Sequence, residues 1–116
     1  MSNHVQLLAD IIITAAEGGV NYWGHVSNYH CQGDPADYRF TIRDREDPQS
    51  TPTTVTLATV EEGICRILDG TGKVNSRITE AVSYSCAHPD DPSAELDAGV
   101  ADAIIQVALL GELTYA

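Results

Sequence analysis

The chain predicts an α+β domain in which an antiparallel sheet of three to four strands packs against two to four helices. Three observations carry this. Residues 3–17 and about 95–110 place apolar side chains with a helical repeat. "YRFTIRD", residues 38–44, alternates Tyr38, Phe40 and Ile42 with Arg39, Thr41 and Arg43, the period of a half-buried strand. Thr59-Val60-Glu61-Glu62 has the S/T-x-x-E form of a capping box, which opens a helix. With 116 residues the chain makes one domain, 1–116, long enough for a core and too short for two.

The elements follow in order. Residues 3–17 form a helix that Asn3 can cap, with Gln6, Asp10, Thr14 and Glu17 on a narrow polar stripe. Gly18-Gly19 is expected to end it in a left-handed cap. Strands are predicted over 21–31 and 38–44. "QGDPAD" between them is turn chemistry, so the pair reads as an antiparallel hairpin. "DREDPQSTP" is a polar loop, and "TTVTLA" is a third strand with Val55 and Leu57 facing the same way. The helix opened by Thr59 and Glu62 runs through Ile64, Ile67 and Leu68 to "DGTGK". Residues 75–87 favour a helix, with Ile78, Val82 and Ser85 on one face, and "HPDDPS" is a loop. The last helix carries Asp97 in its first turn and stops at Gly111, after which "ELTYA" can add a short strand. The first and last helices are apolar over more than the ~100° stripe a surface helix needs. Either they pack on each other and the sheet, or they form a subunit interface, and a homo-oligomer is the expectation.

Composition narrows the function classes. Hydrophobic residues make up 43% and charged residues 20%, as in an ordinary soluble globule. The longest apolar run, "LLADIII", is broken by Asp10 and falls short of the ~20 residues of a membrane span. "MSNHVQ" lacks a basic leader, so a cytoplasmic protein is expected, with no membrane partner. Three cysteines, Cys31, Cys65 and Cys86, are an odd number at wide spacing, which argues against a disulfide framework. Seventeen acidic against six basic residues give a net charge of −11, a field that repels phosphate chains and excludes direct nucleic-acid binding. What remains is a basic protein partner, or a small ligand held where the local charge departs from the overall one.

Candidate chemistry is sparse. His30-Cys31 and Cys86-x-His88 could supply zinc ligands, but they lack C-x2-C spacing and neighbours on a strand point to opposite faces, so no metal and no cofactor are predicted. Cys65, beside Ile64 and Leu68, reads as a core thiol. The adjacent pairs Glu61-Glu62 and Asp90-Asp91 lie on exposed segments, and no hydrolase, metalloprotease or P-loop motif occurs, so no catalytic residue is assigned. Arg39 and Arg43 share one strand face with Thr41 between them, a row of guanidinium, hydroxyl and guanidinium suited to phosphate. In "NYWGHVSNYHC", Tyr22, Gly24, Val26, Asn28 and His30 fall on one face, and Trp23, His25, Ser27, Tyr29 and Cys31 on the other. Each face mixes rings with polar groups, the composition of a pocket that stacks a planar group and reads its edge.

Glu17, Gly18, Gly19, Tyr22 and Trp23 form an E-G-G-x-x-Y-W segment. Asp102, Gln106, Gly111, Glu112 and Tyr115 sit in an A-D-x-I-I-Q-x-A-L-x-G-E-x-x-Y block. Together these blocks, about a quarter of the chain, resemble a group of small proteins encoded by bacteriophages and prophages. By analogy the resemblance implies an immune-evasion role. The leading expectation is a sponge that binds and sequesters a nucleotide-derived signal, such as a cyclic ADP-ribose-type or cyclic dinucleotide molecule, without turning it over. In it Arg39 and Arg43 hold phosphates, Tyr22, Trp23 and His25 contact the ring, and Asn21, Asp102 and Gln106 read hydroxyls and edges. The alternatives are an acidic nucleic-acid mimic that occupies the basic groove of a host restriction or CRISPR-type nuclease, and a small metal- or cysteine-dependent enzyme.

Overall fold

The structure is a computed structural model that describes residues 3–47, 49–89 and 96–115. Among the described residues seven α-helices and β-strands run α-β-β-β-α-α-α: α1 (Asn3–Thr14), β1 (Gly24–His30), β2 (Arg39–Asp44), β3 (Thr53–Val55), α2 (Leu57–Leu68), α3 (Ser76–Ala87) and α4 (Ala98–Leu110). The strands form one antiparallel sheet in the order β1-β2-β3, and the helices cover one of its faces. The architecture is α+β, as the periodicities predict. The Asn3 side chain, Asp90-Asp91 and the expected start of the last helix at 95 lie outside the described residues.

Burial follows the strand period. Phe40, Ile42 and Val55 point inward and are at most 3% exposed. His25, Ser27, Arg39, Thr41, Arg43 and Thr54 stand on the open face, paired across strands as His25 with Arg43, Ser27 with Thr41, and Thr41 with Thr54. Two residues of β2 span three of β1 between the Ser27–Thr41 and His30–Arg39 pairs, and Asn28 has a φ of 51°. This β-bulge corrects the expected two-face division of 21–31. It shifts the alternation by one, so Tyr29 turns to the helix side and donates a hydrogen bond to Glu17 Oε2 at 2.8 Å.

Helix ends depart from the sequence reading in three places. Beyond Thr14 the first helix widens into a π turn, Ala15–Gly19, and neither Gly18 nor Gly19 is left-handed. Gly19 is needed for closeness instead, since a Cβ there would lie 2.9 Å from the Ala98 carbonyl oxygen. The third strand stops at Val55, because Thr56 caps α2 and its N–H donates to Thr59 Oγ1 at 3.1 Å. The cap therefore lies three residues earlier than Thr59, and Glu62 is free to pair with Arg66 at 3.0 Å. Finally, residues 112–115 add no strand.

α4 is the axis of the helical layer, packed on α2 and also on the π turn, α1 and α3. Every residue from Val100 to Val107 is buried. Much of the apolar surface of α4 is thus covered within one chain, while Leu110 at its end stays exposed. Cys65, read as a core thiol, is exposed, because the buried stripe of α2 runs through Val60, Gly63, Ile64 and Ile67. No helix among the described residues is long and apolar enough to cross a membrane.

Gly63 sets the approach of α2 to α4, since a Cβ there would fall 2.3 Å from the Ile104 carbonyl oxygen. Gly63→Ala is expected to lose ~1–3 kcal/mol in urea unfolding, the usual cost of overpacking a core. Gly18→Ala, with nothing within 4 Å of its Cβ, should be neutral or stabilising.

Candidate functional site

Four of the expected contact residues meet in one place, facing each other. Asp102, 6% exposed on α4, accepts from Trp23 Nε1 at 2.8 Å and from the Tyr22 hydroxyl at 2.6 Å. Gln106, one turn on and fully buried, lies with Nε2 3.0 Å from both Asp102 oxygens and 3.1 Å from the Tyr22 hydroxyl. A buried carboxylate is costly unless donors surround it, and here an indole, a phenol and an amide do so. The π turn and the bend after it deliver Tyr22 and Trp23 to α4, and Asn21 closes that bend by donating to the Ala16 carbonyl at 3.1 Å.

This arrangement corrects the roles expected of Trp23, Asp102 and Gln106. Trp23 is 5% exposed, its N–H is engaged by Asp102, and the ring of Tyr115 lies on it at 5.1 Å and 8°. The polar atoms that were to read a ligand hold the fold together instead. Tyr22 is 52% exposed, yet its hydroxyl belongs to the same network.

Residues 112–115 are drawn in by the same groups. Gln106 Oε1 accepts from the backbone N–H groups of Thr114 at 2.9 Å and Tyr115 at 2.7 Å. The Tyr115 hydroxyl reaches across to donate to Asp44 Oδ2 at the end of β2. That bond and one from the Glu46 N–H hold the Asp44 carboxyl below the usual carboxylate range. The phenols shift the other way. Burial and then Asp102 push Tyr22 up to about 12, and Asp44 followed by burial pushes Tyr115 up to about 12. Tyr29 is raised as well, by burial and then by hydrogen bonds to Cys31 and Glu17.

The accessible chemistry lies beside this network. A groove of about 310 Å³ at the end of β2 is lined by His25, Arg43, Asp44 and Arg45. A second cleft, of about 200 Å³, adjoins it and shares Arg43 and Asp44. Its walls also include the apolar side chains of Trp23, Ile42, Leu109 and Leu110 and the hydroxyl residues Ser50, Thr51 and Thr53. His25 and Arg43, from neighbouring strands, both line the accessible groove. Arg39 is not in it: it shares the strand face with Arg43 but sits four residues away, about 13 Å along a strand, and its Nη1 donates to the Asp37 carbonyl at 2.9 Å. Arg45 takes that place. Its N–H bonds the Trp23 carbonyl and its Nε the Asn21 carbonyl, at 2.9 and 2.8 Å, which continues the β2 alternation past the strand end. That continued alternation, Arg43 then Arg45, was the available signal for it. Asp44 had no local signal, because its partner comes from the far end of the sequence. Among the described residues no three His, Cys, Asp or Glu side chains are arranged to hold a metal ion.

Two outcomes follow from the network. Trp23→Ala should cost ~3–5 kcal/mol by denaturant unfolding, as for a large core aromatic. Alkali should also destabilise the protein. Below pH 10.0, the ordinary phenol value, Tyr22 and Tyr115 are protonated folded or unfolded. Between there and about 12 the unfolded chain sheds protons that the folded chain keeps, so stability falls as pH rises. Melting temperature followed from about pH 8 to about pH 12 should drop over this window, less steeply in Tyr22→Phe. No family model, curated protein or solved structure matches the chain, so the case for its function rests on the chemistry of these side chains.

Proposed function

We propose that this protein is a non-catalytic binder of a small nucleotide-derived molecule. The phosphate sits against Arg43, Arg45 and His25, and the rest of the molecule enters the adjoining cleft. One observation carries the reading: two concavities, one cationic and one lined by apolar and hydroxyl side chains, share Arg43 and Asp44 in a chain of net charge −11. Guanidinium groups grip phosphate oxygens in pairs, and an apolar cleft with hydroxyls suits a flat heterocycle. Three of the six basic residues, Arg39, Arg43 and Arg45, fall within seven positions on or just past β2. Binding without turnover is favoured because the Ser50 hydroxyl in the cleft wall donates to the Asp47 backbone carbonyl and not to a base, and burial keeps the Cys86 thiol up, away from the reactive thiolate.

The resemblance to phage-encoded proteins makes a nucleotide signal of bacterial defence the first class to try, sequestered in the host cytoplasm. The −11 charge also suits the mimic of nucleic acid, which would bind a basic host protein in a salt-sensitive way and ignore nucleotides.

A panel of signalling nucleotides read as thermal shifts should give a hit, and heating the complex should release that molecule chemically unchanged. Arg43→Glu should weaken it by roughly 10–100-fold, the worth of one or two charge-assisted bonds, and Arg39→Glu should weaken it far less. Equal affinity in Arg43→Glu would remove the phosphate site, and an altered product would make the protein an enzyme.

A further inference from the structure

We propose that Tyr115 is a built-in stand-in for the ligand's ring: a guanine-type base displaces it from Trp23 and takes over its bond to Asp44. This rests on the small-molecule reading above and adds to it a ring subsite, a base preference and a gate.

The segment after α4 leaves the helix through the left-handed Gly111, with a φ of 84°. Among the described residues no backbone–backbone hydrogen bond holds residues 112–115. They are held by side chains: Gln106 on the Thr114 and Tyr115 backbone, the Tyr22 hydroxyl near the Tyr115 carbonyl, Trp23 under the Tyr115 ring, and Asp44 on its hydroxyl. Trp23 and Asp44 both also line the 200 Å³ cleft. The ring and the donor of Tyr115 thus rest on two groups that a ligand in that cleft would meet. Stacking at 8° between parallel rings is the geometry in which an aromatic side chain receives a base.

Asp44 decides which base. Its carboxylate only accepts, and Oδ2, released by Tyr115, lies beside Oδ1, which takes the Glu46 N–H at 2.9 Å. Guanine presents two neighbouring N–H donors along one edge, matching two carboxylate oxygens. Adenine presents an amino group beside an unprotonated ring nitrogen, whose lone pair would face the carboxylate. Because the site opens only when Tyr115 leaves, the apparent affinity is the intrinsic one reduced by the open fraction.

The chain has one tryptophan, so its emission reads this exchange directly. GMP and AMP would be titrated into the protein, Tyr115→Ala, Tyr115→Phe and Asp44→Asn, with folding checked by circular dichroism. GMP is expected to change the Trp23 emission and to bind Tyr115→Ala roughly tenfold more tightly than the unaltered protein. Tyr115→Phe, which keeps the stack and loses the Asp44 bond, should fall between them, and it carries the test if the alanine variant does not fold. The GMP-over-AMP preference should vanish in Asp44→Asn. Equal GMP affinity in the folded Tyr115 variants and the unaltered protein, or equal binding of GMP and AMP, would overturn the proposal. Pyrophosphate and guanosine separate it from the reading it rests on. Pyrophosphate binding that needs Arg43, with no GMP binding beyond it, leaves the anion site standing and overturns the ring subsite. Guanosine that binds Tyr115→Ala equally well after Arg43→Glu supports the ring subsite and removes the phosphate site.

Discussion

The carboxylate of Asp102 is the constraint on which the rest of the structure depends. A charge-bearing group this far from solvent is tolerated only where donors converge on it, and the donors come from segments far apart in sequence. Trp23 and Tyr22 arrive from the bend after the first helix, and Gln106 from the next turn of α4. Satisfying the carboxylate therefore fixes where the chain enters β1. It also aligns Gln106, whose amide oxygen collects the backbone of residues 114 and 115. From there the Tyr115 ring seals Trp23 and its hydroxyl reaches the end of β2. One buried acid thus locks the first helix, the sheet edge and the chain after α4 into a single arrangement.

Such a lock requires close approach, and small residues allow it. Gly19 lets the π turn touch the first residue of α4, and Gly63 brings α2 against Ile104. With α4 buried from Val100 to Val107, the open face of the sheet is left as the polar surface of the hairpin. The accessible groove forms where that face runs out, at His25, Arg43 and Arg45, backed by Asp44 and the sealed Trp23. The rigid network and the accessible concavities are therefore two sides of the same few residues, so a ligand in the cleft would touch the lock itself.

Local patterns told the fold well. The period of two in 38–44, the helical repeats of α1 and α4, the face shared by Ile78, Val82 and Ser85, and Gly111 as a stop all depend on neighbours within a turn or a strand. Misreadings came where two local signals competed or a distant contact intervened. Thr56 and Thr59 are both able to cap, and the earlier one takes the cap with Thr59 as its reciprocal partner. The bulge at Asn28 has no apolar signature, so an unbroken alternation put Tyr29 on the wrong face. Cys65 sits next to a buried isoleucine and still faces water, a matter of one helical step.

The sequence by itself determined the class of fold, the hairpin, the placing of Arg39 and Arg43 on one strand face, and the clustering of rings and polar tips around residues 21–25. These follow from spacing, which is a property of neighbours along the chain. Only the tertiary structure decided that Trp23, Asp102 and Gln106 turn towards one another and not towards solvent, that Arg45 replaces Arg39 beside Arg43, and that Tyr115 lies on Trp23. The reason is that a buried polar atom must find a partner, and its partner is chosen by packing across eighty residues, where periodicity carries no information.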